Sequence, residues 1–155
     1  MPRTNGILIM TDLQKQNCEK LIAYLLSDKK LAKFDMWYFT QEDIKLVRDP
    51  NEMTTCGTVG CSAGHGPYAG IPKKKSETWF GYVHANFGFH YSSNIGQWCF
   101  SCDWALRDNS PYGAALRLKW FLEKGLPNDY WDQMHGDVGL CYSEQLYDVL
   151  ISKNK

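Results

Sequence analysis

The sequence predicts a mainly helical α+β domain carrying one small antiparallel sheet or hairpin. Three observations predict it. Apolar residues recur at helical spacing behind recognisable capping residues in at least three places. One segment, Trp79 to Tyr91, instead alternates with a period of two. A length of 155 residues, with no repeat or low-complexity stretch, suits one domain with an ordinary core.

Thr11-Asp12-Leu13-Gln14 has the form of a capping box, a hydroxyl followed three residues later by an amide. Behind it Cys18, Leu21, Ile22, Leu25 and Leu26 share one helical face, which predicts a helix from about Asp12 to Ala32. Thr40-Gln41-Glu42-Asp43 starts a second, short helix that Pro50 ends. Thr58 is placed to cap a third, running from Val59 to about His65 and kept short by Gly64, Gly66 and Pro67. A loop follows over residues 70–76.

In the alternating segment Trp79, Gly81, Val83, Ala85, Phe87, Phe89 and Tyr91 fall on one face. Phe80, Tyr82, His84, Asn86, Gly88 and His90 fall on the other, with a bend expected near Asn86-Phe87-Gly88. Ser93 then opens a helix whose stripe is Ile95, Trp98, Cys99, Cys102, Ala105 and Leu106. Ser110-Pro111 begins another, closed by Gly125, with Ala115, Leu118, Phe121 and Leu122 inward. A turn at residues 128–131 and a last helix from Ser143, with Leu146, Val149 and Leu150 inward, complete the chain.

Charge and composition narrow the function. Lys+Arg and Asp+Glu number 17 each, so the molecule as a whole lacks the basic excess of a nucleic-acid binder. No run approaches the roughly 18 apolar residues of a membrane span, and the first residues do not lead into a signal-peptide core. A cytoplasmic protein is expected, and its 6 cysteines are read as reduced core residues, ligands or reactive thiols.

The densest chemistry lies in residues 56–67, where two thiols and an imidazole stand among glycines at an expected loop-to-helix junction. Three readings compete. Backbone amides of Gly57, Thr58, Val59 and Gly60 suit an anion at a helix start, with His65 nearby, Lys73, Lys74 and Lys75 adding countercharge, and Trp79 or Tyr82 (or Trp37) stacking on a base. Alternatively, Cys61 in a first helical turn would have a lowered pKa and act as a nucleophile with His65, His84 or His135 as base. In the third reading Cys56, Cys61 and His65 are zinc ligands, although no cofactor is otherwise called for. Against all three stands plain core packing, with Gly60 and Gly64 permitting close contact. The Cys99–Cys102 pair falls on the apolar stripe of its helix and so needs no metal. His84 and His90 share a strand face, but six extended residues span about 20 Å, so they meet only if the chain bends back at Gly88.

Phe34-Asp35-Met36, followed by Cys56-Gly57-Thr58-Val59-Gly60-Cys61-Ser62-Ala63-Gly64-His65, resembles a family of small proteins encoded by tailed bacteriophages. Its pattern is Phe-Asp/Asn-Met, then Cys-Gly-Thr-x-x-Cys-x-Ala-Gly-His/Trp. The resemblance covers Phe34 to Pro67 and, more loosely, Leu126 to His135, with a longer spacing between the motifs here. It carries no assigned activity. It implies a phage accessory protein of the bacterial cytoplasm, and the family's tryptophan at the position of His65 argues against a ligand or base there. The expected function is therefore counter-defence, by binding and sequestering a phosphorylated small molecule such as a cyclic or modified nucleotide. A thiol hydrolase or transferase, and an inhibitor docking onto a host protein, are the alternatives. No membrane or nucleic-acid partner is expected, and a homo-oligomer with sites between subunits is compatible with this role.

Overall fold

A computed structural model describes residues 10–27 and 63–145, together with Asp148. The described residues form helices joined by short turns, and none of them is in a β-strand.

Helix α1 spans Asp12–Leu26 and starts as its sequence requires. Thr11 Oγ1 accepts from the Gln14 N–H and Gln14 Oε1 from the Thr11 N–H, so two otherwise orphaned donors are satisfied. Cys18, Leu21 and Leu25 are fully buried. The helix stops earlier than the expected Ala32. Ser27 turns extended, and its N–H and hydroxyl both donate to the Tyr24 carbonyl.

The expected strand at Trp79 to Tyr91 is overturned. Helix α2 occupies Trp79–Phe87, with the Thr78 hydroxyl accepting from the Gly81 N–H and Gly88 ending it at φ 89°. Burial follows the helix: Trp79, Tyr82, Val83 and Phe87 are inside, while Ala85, which alternation groups with Trp79, Val83 and Phe87, is exposed. The fold class is accordingly all-helical over the described residues, without the sheet or hairpin. Beyond Gly88 the chain is irregular and buries Phe89 and Tyr91.

Helix α3, Asn94–Phe100, begins at Ser93 as expected but is only 7 residues long. Ser101 breaks it by turning extended, and its hydroxyl accepts from the Asp103 N–H to start a 3-10 turn at Cys102–Leu106. The single stripe through Cys102 and Leu106 is thus corrected. The break puts Trp104 at 0% exposure in the core and leaves Leu106 80% exposed. Helix α4, Pro111–Lys124, has its Ser110 cap and its Gly125 end where the sequence places them, and Leu122 is partly rather than fully buried. Helix α5, Tyr130–Met134, follows, and a further helical turn at residues 143–145 begins the last expected helix. Its inward residues Leu146, Val149 and Leu150 lie outside the described residues, as does the helix expected at Thr40 to Pro50.

Helix α1 packs chiefly on α4 and also on α2, while α3 lies against α4 and α5. Two amides tie α1 to the end of α2: Gln14 Nε2 donates to the Ala85 carbonyl and Asn17 Nδ2 to the Asn86 carbonyl. At the centre, the Trp98 indole N–H donates to the Arg117 carbonyl and the Trp104 indole N–H to the Trp98 carbonyl, so both buried indoles are satisfied. The side chain of Arg117 is itself wholly buried.

Candidate functional site

Two short 3-10 turns, Ala63–His65 and Pro67–Ala69, lie ahead of the loop that leads into α2. They are fastened to α2 by Tyr82, whose hydroxyl donates to the Ile71 carbonyl and against which Gly66 packs too closely for a side chain. The loop closes on itself, because the Lys74 N–H donates to the Glu77 carboxylate and the Glu77 N–H to the Lys74 carbonyl. Thr78 then caps α2. Local hydrogen bonding thus sets Lys73, Lys74 and Lys75 opposite the Pro67–Ala69 turn.

The outcome is a cleft of about 370 Å³ lined by Gly64, Pro67, Tyr68, the three lysines and Trp79. Tyr68 is 63% exposed and Lys74 and Lys75 are exposed, whereas Trp79 is buried with the Lys73 ammonium 5.1 Å from its ring centroid. The cleft lining thus holds three lysines and no carboxylate, the Lys73 ammonium also donating to the Lys74 carbonyl, while the nearby Glu77 carboxylate accepts from the Lys74 N–H. A cleft of this kind suits an anionic ligand with a planar group.

The sequence-derived ligand set is redistributed. Lys73, Lys74, Lys75 and Trp79 do come together. Tyr82, expected to stack on a base, is fully buried and acts instead as the post that holds the turn. Burial, and secondarily Glu77, pushes its phenol well above the usual range. His65 is buried behind the cleft, its ring 5.9 Å from those of both Tyr24 and Tyr68, so it backs the exposed tyrosine. Tyr68 is the residue the sequence reading missed. Its signal was a lone aromatic after Gly66-Pro67 in a loop, where an aromatic ring has no core to enter. Cys56, Gly57, Thr58, Val59, Gly60 and Cys61, and Trp37, lie outside the described residues.

Of the alternative catalytic and metal residues, the described ones belong to different elements: His65 to a 3-10 turn, His84 to α2 and His135 to the end of α5. His84 stands at the end of α2 beside His90, with ring centroids 4.1 Å apart and planes 8° from parallel. The chain does bend back at Gly88. His135 is far along the chain on a different support: Nδ1 lies 2.8 Å from the Trp131 carbonyl and Nε2 3.1 Å from Asp103 Oδ2. Both partners are acceptors, so the two contacts together favour the doubly protonated ring over a waiting base. The Trp131 carbonyl, and then the Asp103 carboxylate working against some desolvation, raise its pKa above the ordinary value. Among the described thiols, burial pushes Cys18 up to about 12 and Cys141 up to about 11, and holds Cys99 well above its normal range. Such thiols are poor nucleophiles at neutral pH.

The raised His135 pKa has a pH signature. A folded-state pKa above the unfolded value means that the contact stabilises the protein fully below about pH 6.5 and loses its effect as pH rises through the folded pKa. Asp103→Asn is therefore expected to lower Tm more at pH 5.5 than at pH 9. A Tm difference that instead grew toward alkaline pH would refute the raised pKa.

No family model, no curated protein sequence and no solved structure matches this chain. Among the described residues, no helix is long and apolar enough to cross a membrane.

Proposed function

We propose that the cleft between Tyr68 and Lys75 binds a phosphorylated small molecule, such as a cyclic or modified nucleotide, and that the protein sequesters this ligand without transforming it. One observation carries the reading: an exposed tyrosine ring and three consecutive lysines line the same cleft. The ammonium groups complement phosphate, and Tyr68 offers a π-face to a base. The resemblance of residues 34–67 to small phage proteins supports a role for such sequestration in counter-defence. Pairing of an exposed ring with a solvated lysine loop favours binding over catalysis, and among the described residues that line the cleft none is a histidine, aspartate or glutamate.

Calorimetric titration with a panel of cyclic mono- and dinucleotides tests this. Base stacking of about 1–3 kcal/mol predicts that Tyr68→Ala weakens the bound member roughly 5- to 150-fold. Lys74→Ala with Lys75→Ala is expected to weaken binding and flatten its salt dependence. No binding by any member, or unchanged affinity in both variants, would remove the proposal.

A second reading, docking onto a host protein, is favoured by a separate patch. Leu106, Trp131 and Val138 are exposed, and Arg107 draws their segments together by donating to the carbonyls of Gln133 and Val138. Trp131→Ala would then abolish capture of that protein while leaving nucleotide affinity untouched.

A further inference from the structure

The stacked histidines at the end of α2 are brought together by backbone, not by burial. His84 sits in the last turn of the helix, its carbonyl accepting from the Gly88 N–H. Gly88, in the left-handed region at φ 89°, reverses the chain. His90 is then fixed from behind, since its carbonyl accepts from both the N–H and the hydroxyl of Ser93. Gly96 of α3 packs directly against the His90 and Tyr91 carbonyls. Both imidazoles are nevertheless exposed, and their four ring nitrogens have no hydrogen-bond partner among the described residues. Two rings that gain little by burial are thus presented to solvent by a well-determined turn.

We propose that His84 and His90 form a two-histidine chelate for a borderline divalent transition-metal ion of the Zn2+ class. Neutral imidazole nitrogen is a favoured ligand for such ions. Tetrahedral coordination with Zn–N bonds of about 2.0–2.1 Å places two ligand nitrogens about 3.4 Å apart. The stack itself does not chelate, since parallel rings aim their lone pairs side by side, but centroids 4.1 Å apart keep both imidazoles within reach of one ion once the exposed side chains turn out of the stack and tilt their ring planes toward it. Both rings line a groove of about 280 Å³ that also includes Phe89, Ile95 and Leu126. No third His, Cys, Asp or Glu joins the pair among the described residues, so the remaining coordination positions go to water or to an oxygen-bearing ligand in the groove. This site is separate from the lysine cleft, and neither needs the other.

The test is titration of the full chain with Zn2+ alone, read by two-dimensional NMR of the imidazole nitrogens. One equivalent is expected to shift the ring signals of His84 and His90 together, leaving those of His65 and His135 in place. His84→Gln and His90→Gln, both at exposed positions, are expected to keep the thermal stability of the parent. Each is expected to weaken binding by more than the roughly 10–100-fold lost with an outer-shell partner. Zn2+ shifts confined to other histidines would overturn the proposal, as would unchanged affinity in either variant.

Discussion

Asp108→Ala is expected to destabilise the protein by about 3–5 kcal/mol, because it leaves the guanidinium of Arg117 buried without its counter-charge. Arg117 is 0% exposed in the middle of α4. Its Nη1 donates to the Tyr142 hydroxyl at 2.7 Å and lies 3.4 Å from Asp108 Oδ2, and the Tyr142 hydroxyl donates to the same carboxylate oxygen at 2.7 Å. The guanidinium carbon stands 4.0 Å from the Trp104 ring centroid, so one face is covered by an aromatic ring. Nε and Nη2 have no hydrogen-bond partner among the described residues, which leaves the cation dependent on Asp108. The other carboxylate oxygen accepts from the Ser110 hydroxyl, which in turn caps α4. Loss of Asp108 thus loosens the start of the helix that carries the arginine. Gly113 belongs to the same device, since a β-carbon there would stand 2.0 Å from Asp108 Oδ2. Urea unfolding measures the effect. The double variant Asp108→Leu/Arg117→Met is expected to recover most of the loss, because removing both charges also removes the desolvation cost. A loss below about 1 kcal/mol for Asp108→Ala would show that the buried pair has little energetic weight.

This cluster was hidden in the sequence for a physical reason. An arginine in a helix is ordinarily solvated, and the expected stripe of α4 runs through Ala115, Leu118, Phe121 and Leu122. Position 117 follows Ala114 by three residues and precedes Phe121 by four, so helical spacing alone admitted it to the buried face. The capping signals transferred well, because a cap is local chemistry. Thr11 with Gln14, and Ser110-Pro111 with Gly125, bound α1 and α4 as the sequence indicated. The strand at Trp79 to Tyr91 failed because increments of four and eight belong to both periods. Trp79, Val83 and Phe87 share a face in either geometry. The discriminating residues were Tyr82, buried at i+3, and Ala85, exposed at i+6, with Thr78 and Gly88 marking the ends. In the candidate site the lysine run and Trp79 were legible. Alternation sets Tyr82 on the face opposite Trp79, Val83 and Phe87, whereas the helix turns it into the core with them, so it is not available to stack on a ligand. The meeting of His84 and His90 depended on a reversal at Gly88, and the positive φ there supplies it.

Gly96→Ala is expected to be the most damaging single-methyl change outside the ion cluster. A β-carbon at position 96 would lie 2.1 Å from the His90 carbonyl oxygen and 2.4 Å from that of Tyr91. Both obstacles are backbone, and the His90 oxygen already holds two bonds from Ser93, so neither can swing aside as a side-chain tip would. Helix α3 must back away, or residues 90–91 must move outward. Retreat of α3 opens the core around Trp98 and Phe100, both 0% exposed. Movement of residues 90–91 strains the hydrogen bonds at the Ser93 cap and carries His90 away from His84. The expected cost is about 3 kcal/mol, the upper part of the range for overpacking. The two relaxations leave different traces. If the loop yields, the variant loses Zn2+ affinity at the histidine pair while the Trp98 environment, followed by near-ultraviolet circular dichroism, stays native. If the helix yields, the tryptophan signal changes and the histidine pair survives. Retention of parental Tm, with both signals intact, would mean that α3 does not lie against the Gly88–Ser93 turn as closely as described.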